Sequence, residues 1–128
     1  MNENASLFFV DRHVDSHIKG KKAFIEYGSN QKFITYADLH EQSSKLRHFF
    51  SKFKINREDR VIILMQDVVS YPIIFWGCLK SGVVPVLLNT LLSSEVVNDI
   101  INNSRAKAVF ISSGLLSSFE NSVKKMLI

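Results

Sequence analysis

Cysteine, proline and glycine are all scarce: one Cys, two Pro and five Gly in 128 residues. A lone thiol, Cys78, excludes an internal disulfide and any zinc cage built from cysteines, and it fits a reducing compartment. So few Pro and Gly leave no material for a collagen repeat or a low-complexity linker. The opening Met1–Asn4 has no basic n-region, and the apolar run Leu7–Val10 is too short for the core of a secretory signal, so a cytoplasmic protein is expected. Charge is nearly missing between Val68 and Leu92, where Lys80 stands alone. Pro72, Gly77, Gly82 and Pro85 nevertheless cut that stretch into pieces well short of the ~20 residues a membrane helix needs. No membrane span is expected. The net charge of +4 is mild, and no clustered basic face with aromatic or groove-reading partners can be placed, which argues against a nucleic-acid partner.

Hydrophobic residues at 46% and charged residues at 22% describe an ordinary globular chain of one-domain size. Leu7, Phe8, Val10, Val14 and Ile18 recur at helical spacing and predict an amphipathic helix over Ala5 to His17, followed by a basic loop at Lys19–Lys22. Ala23–Tyr27 and Lys32–Thr35 flank Gly28-Ser29-Asn30-Gln31 as the strands of a hairpin with a four-residue turn. Thr35 and Asp38 have the spacing of a capping box, and beyond them Leu39, Leu46, Phe49, Phe50 and Phe53 share one helix face. From Arg60 the pattern alternates. Arg60–Met65 reads as a strand covered on both faces, and Ser70 as the cap of a helix with Pro72 in its first turn and Gly82 as its stop. Val83–Leu88 reads as a second buried strand, with Pro85 near its start. Ser93 or Ser94 caps a helix with Val96, Val97, Ile100 and Ile101 inward. Ala108–Ile111 is a third strand, and Leu116, Phe119, Val123 and Met126 mark a last helix. The expected fold class is α/β: an N-terminal helix and β-hairpin, then alternating strand–helix units forming part of a parallel sheet covered by helices.

Chemistry-bearing residues are thin. His13 and His17 have i, i+4 spacing, but no third ligand converges on them, and His40 and His48 fall among polar helix residues; solvated histidines are the expectation and no metal site is assigned. Cys78 lies on an apolar helix face, whereas a nucleophile needs a partly exposed, electropositive setting, so it is expected in the core. No glycine-rich phosphate loop can be written. Ser112-Ser113-Gly114 follows a strand, where an anion or a plain serine cap would both fit. Lys80 reads either as a cation snorkelling from a helix C-terminus or as an anion contact. No catalytic residue is assigned.

Several phrases taken in order carry a resemblance. Phe33-Ile34-Thr35-Tyr36-Ala37-Asp38-Leu39 resembles the first core motif of adenylate-forming enzymes, an apolar residue followed by Thr-Tyr-x-(Glu/Asp)-Leu. Leu79-Lys80-Ser81-Gly82-Val83-Val84-Pro85 resembles the second, Leu-Lys-(Ala/Ser)-Gly-x-x-x-Pro, in shortened form. Asp59-Arg60-Val61 matches the phrase that opens a core strand there, and Phe75-Trp76-Gly77 and Asn103–Lys107 also fall in place. Phe9-Val10-Asp11-Arg12-His13 and Val86–Leu92 look most like the benzoate-CoA ligase branch. Two positions depart: Lys54 and Glu58 stand where the family often has glycine.

The resemblance implies that residues 1–128 are the N-terminal part of the large domain of an AMP-forming acid–CoA ligase. Such an enzyme adenylates a carboxylic acid, here an aromatic one, with ATP and Mg²⁺, then transfers the acyl group to CoA. The motifs that hold ATP and the acid lie outside these residues, so the segment itself is expected to be inactive and to hold no cofactor; Lys80 matches a basic position near a CoA phosphate. A fatty-acid ligase or carrier-loading adenylation branch, and a free-standing non-catalytic interaction domain, are the alternatives. A segment of this kind would expose apolar faces and a sheet edge, so self-association is expected.

Overall fold

The structure, a computed structural model, describes residues 4–124. The Asn4 side chain accepts the Ser6 amide and opens α1, Ala5–Phe9. The helix expected to reach His17 ends here. Val10 turns the chain (φ −122°, ψ −60°), a 3₁₀ turn covers Asp11–His13, and further turns lead to Gly20. Tertiary contacts override the local periodicity: Val10 is buried with Ile34 and Leu39, while Asp11 leaves the helical path to meet charges on two other helices.

β1 (Lys22–Ile25) and β2 (Phe33–Thr35) form the expected antiparallel pair. Their connection is longer than four residues, and Tyr27, expected in the first strand, lies fully exposed within it. α2 (Tyr36–Lys52) starts on a complete capping box: the Asp38 amide donates to Thr35 Oγ1 at 3.1 Å and the Thr35 amide to Asp38 Oδ2 at 2.9 Å. β3 (Arg60–Leu64) follows, then α3 (Ser70–Ser81). Ser70 does not cap α3. The Val69 amide donates instead to Glu26 Oε2 at 3.2 Å, so a carboxylate from the hairpin loop takes the place of a local serine. β4 (Val84–Leu87), α4 (Ser94–Ser104), β5 (Ala108–Ile111) and α5 (Leu116–Val123) complete the chain, with Ser93 Oγ accepting the Val96 amide as the cap of α4. Met126, expected in the last helix, lies outside the described residues.

α2, α3 and α4 stop in the same way. The amides of Ile55, Val83 and Ala106 reach back to the carbonyls of Phe50, Cys78 and Ile101, and the residue just before each takes a left-handed conformation: Lys54 (φ 54°), Gly82 (φ 70°) and Arg105 (φ 51°). This is the Schellman stop, in which the extra bonds satisfy carbonyls that the helix leaves free. Each also brings an apolar pair together, since Ile55, Val83 and Ala106 pack in the same clusters as Phe50, Cys78 and Ile101.

The sheet order is β4-β3-β5, all parallel. Central β3 is covered on both faces, as the apolar run predicts, and Val61 to Leu64 have no solvent exposure. Val61 packs with Phe50 of α2 and Cys78 of α3, whereas Ile62 and Leu64 pack with Val97 and Ile101 of α4 and Phe119 of α5. The result is three layers, helices on either side of a short sheet. Arg60 joins them: its Nε donates to the Ser104 carbonyl at the end of α4 at 2.7 Å, while Asp59 Oδ2 accepts the Asn56 amide at 2.8 Å, which gives the Asp-Arg-Val phrase a structural reason. β4 differs from expectation. Among the described residues it pairs only with β3, and as an edge strand there it leaves Val84 and Leu87 exposed.

Candidate functional site

Lys80 lies in the last turn of α3, where a cation is favoured by the helix dipole. It does not snorkel outward: its side chain is 10% exposed and its Nζ lies 2.6 Å from Asp11 Oδ1. Nζ also donates to Ser44 Oγ at 3.1 Å and to the His40 carbonyl at 3.3 Å. His40 Nδ1 lies 2.7 Å from the same Asp11 oxygen. Because that nitrogen donates to the carboxylate, it cannot also accept from Lys80, 3.1 Å away, so Asp11 is the shared acceptor of both groups. Ser6 Oγ approaches the other Asp11 oxygen at 3.4 Å, and Asn4 Nδ2 donates to the Leu79 carbonyl at 2.7 Å.

Burial alone would push the Asp11 carboxyl up. The hydrogen bonds from Lys80 and His40, with the charges of both, outweigh it and hold the group below its ordinary 3.8. Three elements therefore meet on one carboxylate: the turn after α1, helix α2 and helix α3. The cluster floors a groove of 980 Å³ whose rim includes Arg47 and Arg57. Arg57 has Glu58 at 3.5 Å, with both side chains largely exposed. As chemistry, the cluster holds charge and position. Its nearest hydroxyl, Ser44 Oγ, donates to the His40 carbonyl at 2.6 Å, so the set has the form of a tie between elements and not of a nucleophile with its base.

Of the residues weighed by sequence, Lys80 and His40 enter this cluster; His40, expected as a solvated histidine, is instead tied to a carboxylate, and Asp11 was missed. Residues 29 and 40 apart give no local signal of their meeting. The one available clue was that a lone lysine in an apolar stretch needs a counter-charge. His13 and His17 do not share a helix face, because the chain there is a 3₁₀ turn followed by turns; the His13 ring rests on Tyr36, 4.7 Å between centroids. Among the described residues no group of His, Cys, Asp and Glu gathers as a metal site requires. Cys78 is fully buried, and burial pushes its thiol up to about 12, far from a reactive thiolate. Ser112 Oγ accepts the Gln66 amide at 3.0 Å and makes no bond to the 3₁₀ turn that follows, so it ties the ends of β3 and β5 together and does not cap that turn.

Comparison with known proteins gives a consistent relationship. The family profile described as AMP-binding enzyme matches residues 10–127. A 4-hydroxybenzoate–CoA/benzoate–CoA ligase of Rhodopseudomonas palustris is 35% identical over 117 residues, which are 91% of this chain and 21% of that relative. An acetyl-coenzyme A synthetase of Leptospira biflexa is 32% identical over 114 residues, 87% of this chain and 17% of the relative. Among solved structures, a benzoate CoA ligase from Burkholderia xenovorans LB400 superimposes with a TM-score of 0.84 at 26% identity, over 94% of this chain and 24% of that one. The chain thus spans about a fifth of the length of the curated relatives it matches.

Proposed function

The chain belongs to the AMP-binding enzyme family, and on that premise we propose that it forms the N-terminal part of the large domain of an AMP-forming acid–CoA ligase acting on an aromatic acid. The observation that carries this reading is the 35% identity to the Rhodopseudomonas ligase, supported by the benzoate CoA ligase fold over 94% of the chain. In the proposed reaction, the carboxylate attacks the α-phosphorus of ATP with Mg²⁺ present, releasing pyrophosphate and forming the acyl-adenylate; the CoA thiol then displaces AMP. The described residues do not fit the nucleotide triphosphate. They offer no glycine-rich cradle, and of the two serines that follow β5, Ser112 is already engaged by Gln66. Their part is scaffold.

The Lys80 assignment to a CoA phosphate belongs to the same proposal, supported by the groove it shares with Arg47 and Arg57. Asp11 already neutralises the lysine, so the two arginines would supply the charge that meets the phosphate. Among the described residues no helix is long and apolar enough to cross a membrane; a cytoplasmic location belongs to the same proposal, supported by the single free thiol Cys78. We also propose that the isolated chain self-associates, supported by the open edge of β4 and by Leu91, 90% exposed beside it. The similarity to acetyl-coenzyme A synthetase at 32% identity supports a second reading of the acid, a short aliphatic one.

The test begins with the intact mass of the native gene product, which is expected to exceed 14.6 kDa several-fold. That product, given benzoate, ATP, Mg²⁺ and CoA, should release AMP and pyrophosphate in equal amounts and form benzoyl-CoA, while the 128-residue chain alone should do neither. A native product of 14.6 kDa, or a long product inert toward aromatic and aliphatic acids alike, overturns the reading.

A further inference from the structure

A second cavity, of 490 Å³, opens between the hairpin and the start of α3. Its volume is in the range of small-molecule sites. Phe24, Tyr71, Phe75 and Trp76 supply aromatic walls, and among the described residues the only charged side chains lining it are Glu26 and Asp67, with no lysine, arginine or histidine. Glu26 is fixed in place, because its Oε2 holds the Val69 amide at the start of α3 while its other oxygen has no partner among the described residues. The Asp67 charge is felt inside the cavity: after burial, it is what pushes the Tyr71 phenol up. Aromatic faces carry negative potential at their centres, and carboxylates at the rim add to it.

We propose that this cavity binds an organic cation, an ammonium group carried on an apolar or aromatic body. The aromatic walls take the body, and Glu26 and Asp67 take the charge. The same field repels carboxylates and phosphates, so the acid, ATP and CoA of the proposed ligase reaction are all excluded as occupants, and the inference does not depend on that reaction.

Trp76 is the only tryptophan of the chain and lines the cavity, so its emission reports occupancy directly. The experiment titrates the native gene product by calorimetry, and the 128-residue chain by Trp76 emission, with three probes that share one body and differ in charge: 3-phenylpropylammonium, 3-phenylpropanol and 3-phenylpropionate. The ammonium is expected to bind about tenfold more tightly than the alcohol, with the propionate weaker still, and the advantage should shrink as salt screens the rim. Glu26→Gln with Asp67→Asn should bring the ammonium to the level of the alcohol. Gln keeps an oxygen for the Val69 amide, so α3 retains its cap; should the double variant fail to fold, Asp67→Asn alone is expected to remove about half of the advantage on a logarithmic scale. Equal affinity for all three probes, discrimination that survives the substitutions, or Trp76 emission that none of them changes would overturn the proposal. So would sedimentation showing that a second copy fills the cavity and excludes the ammonium.

Discussion

Replacing Asp11 by Asn removes the charge that Lys80 and His40 share while keeping the shape of the side chain. Breaking a buried ion pair from one side costs ~3–5 kcal/mol, whereas an exposed pair contributes ~0–1 kcal/mol. Lys80 is 10% and Asp11 20% exposed, so the pair is nearer the buried limit, but the open groove beside it admits water. Asn also still accepts one hydrogen bond from Lys80. Together these place the loss at about 2 kcal/mol. Urea unfolding followed by Trp76 emission at pH 7 measures it. Adding Lys80→Met, which removes the stranded ammonium, should recover about 1 kcal/mol of that loss, because two absent charges are cheaper than one left alone. The pH dependence has a definite sign. A carboxyl held below its unfolded value stabilises the fold above that value, and the contribution fades as pH falls through the folded value. The gap between the native chain and Asp11→Asn should therefore be full at pH 7 and close as pH drops below 3.8. Asp38, also held low by its bonds with Thr35, is present in both proteins and cancels in the difference. A loss under ~0.5 kcal/mol at pH 7, or a gap indifferent to acid, would show that the cluster is a solvated surface pair and refute the reasoning.

Other substitutions test the packing. Gly77→Ala should destabilise by about 2 kcal/mol despite alanine's better helix propensity, because the new Cβ would lie 2.8 Å from Leu46 Cβ and 3.0 Å from the Ser43 carbonyl, neither of which can rotate away; an unchanged urea midpoint would contradict the close approach of α2 and α3. Lys54→Gly and Glu58→Gly should each stabilise by ~0.5–1 kcal/mol, since both residues hold positive φ and an L side chain there costs more than glycine's extra freedom in the unfolded chain; thermal melts of the two variants decide this. Ser81→Ala should be neutral or stabilising by up to ~1 kcal/mol, because Ser81 Oγ is buried with no hydrogen-bond partner among the described residues. A clear fall in melting temperature for Ser81→Ala would reveal a partner for that hydroxyl.

What sequence made legible was local. The capping box at Thr35 and Asp38, the buried run of β3 and the stop at Gly82 each depend on residues within a few positions, and each stands in the structure. Where the fold departed from local rules, a distant group had taken over. The helix begun at Ala5 broke because Asp11 serves Lys80 and His40, and Ser70 gave up its cap to Glu26 from the hairpin loop. Lys54 and Arg105 end helices without the residue type that announces such an end, so only one of three identical stops was visible. The candidate site was half legible for the same reason: the lone lysine could be seen, and the carboxylate that answers it could not.

β3 lies at the centre of the sheet, yet it precedes both of its partners in the chain. A ribosome working from the N-terminus delivers this buried strand before both of its strand partners and before α3, α4 and α5, with only α2 of its covering helices already made. While α3 and β4 are being made, Arg60–Leu64 has both flanks unmet, and one of them stays open until β5 emerges. Translation speed over residues 65–111 thus sets how long an aggregation-prone segment stays bare, and slow codons there should raise its dependence on chaperones that shield nascent apolar segments. Pulse-labelling hydrogen exchange on stalled chains would show protection of β3 only once Ile111 has cleared the exit tunnel.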